Sequence, residues 1–320
     1  MPAEGEHSRL HFSRKAMAAP FEIILDLDRP KQELEVIAEA AFELVEHLEG
    51  QLSAYLSTSD ICWINDAAAE RPARLEPRLY ELLKMCRRVY DETCGAFDIT
   101  VGPLVKAWGF YRREGRKPDP AELEVAREKV GMPFVRFDDE EHSVRFEKPG
   151  MELNLGAVGK GYVVDRVVEA LRGWGIRCGL VHSARSTIAV IGEPPVGDGW
   201  RLGVTDPRAT EKALGVLTLA DSTMSTSGNW EQFFKLEGKS YSHIIDPRSG
   251  QPAQGILSTT VVGPSAAESD ALATAFFVMG VERTRDYCEE RRQIGAVVLA
   301  GETPEQLSVH TLNLILDREN

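Results

Sequence analysis

The sequence predicts an α+β fold: a single large domain in which mixed and antiparallel sheets pack against helices. Three observations predict it. Long amphipathic helical stretches dominate the first half, and short apolar strand stretches dominate the second. No repeat, low-complexity run or long linker divides the 320 residues. Strands and helices therefore segregate rather than strictly alternate, which separates this chain from a doubly wound sheet.

Taken in order, residues 1–16 form a polar leader expected to be poorly ordered, ahead of a domain spanning residues 17–320. Residues 21–27 read as a strand. Residues 31–48 carry Leu34, Ile37, Ala38, Ala41, Val45 and Leu48 at helical spacing, and residues 76–92 repeat the pattern with Leu79, Leu82, Leu83, Cys86 and Val89. Asp119 and Pro120 open a helix reaching Val130, with proline at the first helical position. Residues 134–137 and 143–146 flank an acidic turn as a hairpin. In the second half, strands are predicted at 151–155, 180–191, 200–204, 213–219 and 256–262, and again at 294–299 and 309–316. Helices at 162–172, 268–279 and 282–291 lie between some of them.

Composition narrows the function classes. Hydrophobic content of 43% and charged content of 27% are those of an ordinary globular chain. A formal net charge of −13 argues against nucleic acid or an anionic membrane as main partner. The five cysteines are scattered without a C-x-x-C pair, so neither a zinc site nor a disulfide framework is indicated, and reduced core thiols are expected. The first twenty residues are charged throughout, without an apolar signal core, and no later stretch is long enough to span a bilayer. A cytoplasmic location is the expectation.

Three segments carry the chemistry. The stretch 155–165 (LGAVGKGYVVD) puts Gly156, Gly159 and Gly161 where a strand turns into a helix. Such a turn either aims backbone N–H groups at an anion or simply needs glycine to bend. It fits neither the dinucleotide fingerprint nor the Walker A spacing. Asp270 and Thr274 are four residues apart on a helix and share a face. A carboxylate and a hydroxyl there suit a hard cation, but Asp270 could equally cap the helix and Thr274 bond back to a carbonyl. His243 precedes Ile244, Ile245 and an Asp-Pro turn, as a base facing an enclosed space or as a hydrogen-bonded core histidine. Asp98 could bind a ligand edge or cap its turn, and Tyr55 could serve as a stacking platform or be half-buried packing.

Together these segments resemble the ApbE-type FAD:protein FMN transferases, over about Met17 to Gly280. The resemblance rests on Met17, on Ser53-Ala54-Tyr55 with Ser59 and Asn65, and on Gly95-Ala96-Phe97-Asp98 with Trp108-Gly109-Phe110. It continues through residues 155–165, Ser225-Thr226-Ser227-Gly228, His243-Ile244-Ile245-Asp246-Pro247 with Gly250, and Asp270 to Thr274. It implies a T-fold-like architecture and a Mg²⁺-dependent transfer of FMN from FAD to a Thr or Ser hydroxyl of a target redox protein, with release of AMP. FAD would contact Met17, Tyr55, Ala96, Phe97, Asp98, Gly156, Lys160, Tyr162, Asp165, His243 and Ile244. Mg²⁺ would be held by Asp270, Thr274 and the Gly159 carbonyl, and His243 and Asp270 would be the catalytic residues.

Two departures stand out. Where the family usually has Gly-Gly-Asp or Gly-Gly-Asn, this chain has Val181-His182-Ser183-Ala184-Arg185-Ser186-Thr187, with Ala and Arg in place of glycines, and Met17-Ala18-Ala19 replaces the common Met-Gly-Thr. The exported leader of many members is also not seen. A Mg²⁺-dependent FAD pyrophosphatase and a non-catalytic FAD carrier are the competing expectations.

Overall fold

A computed structural model describes residues 9–112, 114–194, 197–230, 233–236 and 239–318. The chain opens with β1 (Arg9–Ala16) and β2 (Ala19–Asp26), followed by α1 (Lys31–Leu52) and α2 (Asp60–Ala67). Next come β3 (Ala73–Arg74), α3 (Pro77–Glu92), α4 (Gly102–Ala107), α5 (Pro120–Arg127), β4 (Val135–Asp138) and β5 (Ser143–Phe146). The second half holds α6 (Gly159–Gly173), β6 (Gly179–Ser183), β7 (Thr187–Ile191), β8 (Trp200–Asp206), β9 (Ala209–Leu219) and β10 (Thr223–Gly228). It closes through β11 (Phe233–Leu236), β12 (Lys239–Ser242), β13 (Ile245–Asp246), β14 (Gln251–Pro252), β15 (Ile256–Gly263), α7 (Ala266–Glu290), β16 (Gly295–Ala300) and β17 (Ser308–Leu312).

An eight-stranded sheet in the order β1-β2-β6-β7-β10-β15-β16-β17 forms the centre. Its pairings are antiparallel. Strand periodicity sorts its apolar residues onto two faces. Phe21, Ile23, Leu25, Val181, Ala189 and Val261 pack with the helices in the main core. Leu180, Ile188, Val190, Met224 and Leu299 face the opposite way, packing with Trp200, Leu202 and Leu217 of the β8–β9 hairpin. Mixed helices and antiparallel sheets in one domain are thus what the sequence predicts.

Four expectations need correction. Residues 9–16, assigned to a poorly ordered leader, form the edge strand β1 and pair along their whole length with β2. The charges hide an alternation: Leu10 and Phe12 pack on the core, while Arg14 covers the Phe42 ring and pairs with Glu39 and Glu46. Residues 1–8 lie outside the described part. Residues 151–155 are not a strand, because they pair only through an isolated bridge between Glu152 and Val101. Residues 180–191 are two strands, β6 and β7, turning at Ala184 and Arg185 with φ of +55° and +57°. The thiols are not all core: Cys86 and Cys288 are buried, but Cys94 is exposed.

Gly280 (φ +76°) interrupts α7 between the two helices read from the sequence. Among the described residues, no helix is long and apolar enough to cross a membrane.

Candidate active site

The N-termini of α6 and α7 meet at one end of the central sheet, and glycine makes that meeting possible. A Cβ at Gly161 would lie 2.2 Å from the Ala266 carbonyl oxygen, closer than side chains tolerate. The Gly161 N–H donates to Asp270 Oδ2 at 3.1 Å. Asp165, one turn further along α6, anchors the start of α7: its carboxylate accepts from Ser265 Oγ and from the backbone N–H of Ala266 and Ala267, at 2.8–2.9 Å. Burial pushes the Asp165 carboxyl above its ordinary pKa, and these bonds pull it back. Asp165 thus fixes α7, and with it Asp270, instead of lining the cleft.

Strand β10 supplies the other side of this junction. Its alternate residues Thr223, Ser225 and Ser227 face α7, where Thr223 bonds Ser269, Ser225 donates to Asp270 Oδ1 at 3.0 Å, and Ser227 pairs with Thr274 at 3.2 Å. Thr187 of β7 adds a second hydroxyl to Asp270 Oδ1 at 3.3 Å. Asp270 is buried, and these donors, two hydroxyls and an amide, are neutral. The sequence reading assigned the site no residue of β7 or β10, although the alternating hydroxyls of 223–227 were the available signal.

An open cleft of about 310 Å³ lies against this junction. It brings together ten of the predicted residues: Tyr55, Ala96, Phe97, Asp98, Gly156, Lys160, His243, Ile244, Asp270 and Thr274. Thr226, Ser227, Asn154 and Phe110 also line it. Asn154 Oδ1 accepts from the Gly156 N–H at 2.9 Å and so shapes the glycine turn. Asp98 caps its own loop: Oδ1 accepts from Thr100 N–H and Oγ1, and Oδ2 from Met132 N–H. Burial raises its pKa, against the pull of those bonds.

Three other predicted contacts lie elsewhere. Tyr162 is buried beside a second hollow with Pro77, Leu82 and Arg166. Met17, at φ +52° in the β1–β2 turn, packs behind the start of α6, its Cε 3.6 Å from where a Gly159 Cβ would lie. Gly159 opens α6 but is not among the cleft-lining residues.

The far wall is aromatic. Trp108 Nε1 donates to the Gly250 carbonyl at 2.8 Å, tying α4 to the turn after His243. Gly250 N–H in turn donates to Asp246 O, and Asp246 pairs with Arg248. The Phe110 ring meets His243 edge-on at 6.4 Å, and Phe234 of β11 stacks on Tyr241 of β12 at 5.1 Å. Among the described residues no three His, Cys, Asp or Glu side chains are grouped to hold a metal. A cation here would instead be held by one carboxylate, hydroxyls and carbonyls, the oxygen set a hard ion accepts alongside ligand phosphates.

Fold and site define an α+β protein with an oxygen-lined cleft where two helix N-termini converge. Residues 17–298 match the ApbE family, and the chain belongs to it. A FAD:protein FMN transferase of Klebsiella pneumoniae (strain 342) is 32% identical over 265 residues, covering 82% of each chain. One from Escherichia coli (strain K12) is 30% identical over 264 residues, covering 78% of this chain and 74% of its own. The solved ApbE protein of Thermotoga maritima has a TM-score of 0.86 at 28% identity, covering 95% of this chain and 97% of that one. The flavin transferase ApbE of Vibrio cholerae has a TM-score of 0.86 at 26% identity, covering 96% and 98%.

Proposed function

We propose that this chain is a FAD:protein FMN transferase, moving FMN from FAD onto a Thr or Ser hydroxyl of a target protein and releasing AMP. One observation carries the reading. In a member of the ApbE family, Asp270 and Thr274, the glycine turn with Lys160, and His243 all line one cleft.

Asp270 and Thr274, which line the cleft, offer oxygens that suit Mg²⁺, which when bound would neutralise the FAD diphosphate and stabilise the leaving phosphate. The neutral surroundings of Asp270 support this, since a buried carboxylate is more stable with a cation beside it. The N-terminus of α6 offers the positive end of its dipole to phosphate, and Lys160, which lines the cleft there, adds a charge. His243 is the proposed base. It accepts the proton as the acceptor oxygen attacks the FMN-side phosphorus, the P–O–P bond breaks, and its electron pair departs with AMP.

The test is incubation with FAD and Mg²⁺, with and without a threonine-containing peptide from a flavin-carrying protein, while AMP and peptide mass are measured. AMP together with a peptide gain of one FMN phosphoryl unit is the expected result. AMP without that gain would make the chain a FAD pyrophosphatase. Bound FAD with no AMP in either arm would make it a carrier.

A further inference from the structure

Tyr55 lines the cleft, and 58% of it is exposed. Its ring is seated against Tyr111, with centroids 4.7 Å apart and planes tilted by 32°. Tyr111 is itself held. Its hydroxyl donates to the carbonyl of Ala54, the residue before Tyr55, at 2.9 Å. Lys106 Nζ lies 5.2 Å from the centroid of the same ring and is paired with Glu152. The loop carrying Tyr55 is fixed from its other end by Ser59, whose hydroxyl donates to the Ser53 carbonyl at 2.6 Å while capping α2.

We propose that Tyr111 is a positioning residue for ligand stacking: it holds the Tyr55 ring so that one of the two planar rings of the dinucleotide stacks on the ring's exposed side. This rests on the FAD reading above. An exposed tyrosine gives up rotamer freedom when a ligand ring settles on it, and that loss weakens binding. A ring already seated on Tyr111 has given it up beforehand. The Ala54 hydrogen bond couples the positions of the two tyrosines through backbone, which a merely apolar neighbour would not do. A cation over the second ring favours an aromatic residue there over an aliphatic one. Tyr111 lies 57 residues from Ala54, so the platform forms only when two distant segments meet.

The test compares the full chain with Tyr111→Phe, Tyr111→Leu and Tyr111→Met. FAD and FMN binding are followed by flavin fluorescence, and AMP binding by calorimetry. Tyr111→Phe, which keeps the ring but loses the Ala54 hydrogen bond, should weaken FAD by about threefold, less than loss of the ring does. Tyr111→Leu should weaken FAD roughly tenfold, as loss of one base stack does. It should weaken only one of AMP and FMN to a similar degree, which identifies the stacked ring. Tyr111→Met, which keeps bulk without a π-face, should behave as the leucine variant does and serves if that variant fails to fold. Tyr55→Leu combined with Tyr111→Leu should be no weaker than Tyr55→Leu alone. Unchanged FAD affinity in both aliphatic variants, equal weakening of AMP and FMN, or additive losses would each overturn the proposal. An unaltered chain that binds no FAD would instead overturn the functional reading on which it rests.

Discussion

The two walls of the cleft are built by different physics. On the helix wall, polar positions are fixed through backbone and sheet: Gly161 N–H, Ser225 and Thr187 converge on the buried Asp270 carboxylate. Gly161 leaves no room for adjustment, with the Ala266 carbonyl against it. On the aromatic wall, Tyr55 and Phe110 line the cleft, Tyr55 backed by the Tyr111 ring and Phe110 by Phe234, which stacks on Tyr241. Each such contact contributes about 0.5–1.5 kcal/mol beyond the area it buries. Changes on the helix wall should therefore act almost as switches, and changes on the aromatic wall as graded adjustments. A rigid wall suits the reacting phosphate, and an adjustable one suits ring recognition.

Substitutions can break this contrast, beginning with the largest effect. Asp270→Ala removes the carboxylate of the helix wall, and Mg²⁺-dependent AMP release should fall roughly a thousandfold or more. A loss of less than tenfold would take the cation away from this wall. His243→Ala should lower kcat by roughly 10²–10⁴ while KM for FAD moves little, as loss of a general base does. A rise in KM at unchanged kcat would make His243 a binding residue of the aromatic wall. Gly161→Ala should destabilise the fold by roughly 2–3 kcal/mol, read from urea unfolding, because the helix junction cannot open without losing the Asp165 and Asp270 bonds. Unaltered stability would show that the junction is softer than its geometry implies.

The smallest effect lies on the sheet face away from the helices. Burial holds the His182 imidazole below its ordinary pKa, which Glu22 partly offsets, while Arg185 and His11 add to the lowering. Its Nδ1 has no hydrogen-bond partner among the described residues. As pH falls, the unfolded chain therefore takes up this proton before the folded one. The contribution is fully present above about pH 6.5 and declines below it. Thermal unfolding between pH 8 and pH 5 should show that decline, and His182→Gln should flatten it. An equal slope in the variant would assign the decline to other groups.

How far the sequence spoke depended on whether a feature was local. The amphipathic helices were legible because 3.6-residue periodicity needs no partner, and α1 and α3 begin at or within one residue of where it places them. The β6–β7 turn was not. Hairpin turns with consecutive positive-φ residues normally advertise themselves with Asn or Gly, whereas Ala184 and Arg185 adopt that conformation here in the three-residue connection. Met17 and Ala18 do the same between β1 and β2, and Ala184 N–H donates to Pro20 O beside them. In both turns L-residues carry the strained, left-handed backbone.

The site divides in the same way. Asp270 and Thr274 were legible from helical spacing, and ten of the residues that line the cleft were expected at the site from the sequence. Asp165 sits in the same glycine-rich segment as the cleft residues but points to the start of α7, a tertiary fact that sequence proximity does not carry. Thr187, Ser225 and Ser227 depend on sheet register against a helix that follows much later, so only the folded chain brings them to Asp270 and Thr274.

The central claim is that the helix wall holds a divalent cation through Asp270 and thereby engages the FAD diphosphate. The most direct measurement is the FAD dissociation constant with and without Mg²⁺, for the unaltered chain and for Asp270→Asn, which keeps the side chain's size and an accepting oxygen. Mg²⁺ should tighten FAD binding at least tenfold in the unaltered chain and leave the variant's affinity unchanged. Equal tightening in both would contradict the account.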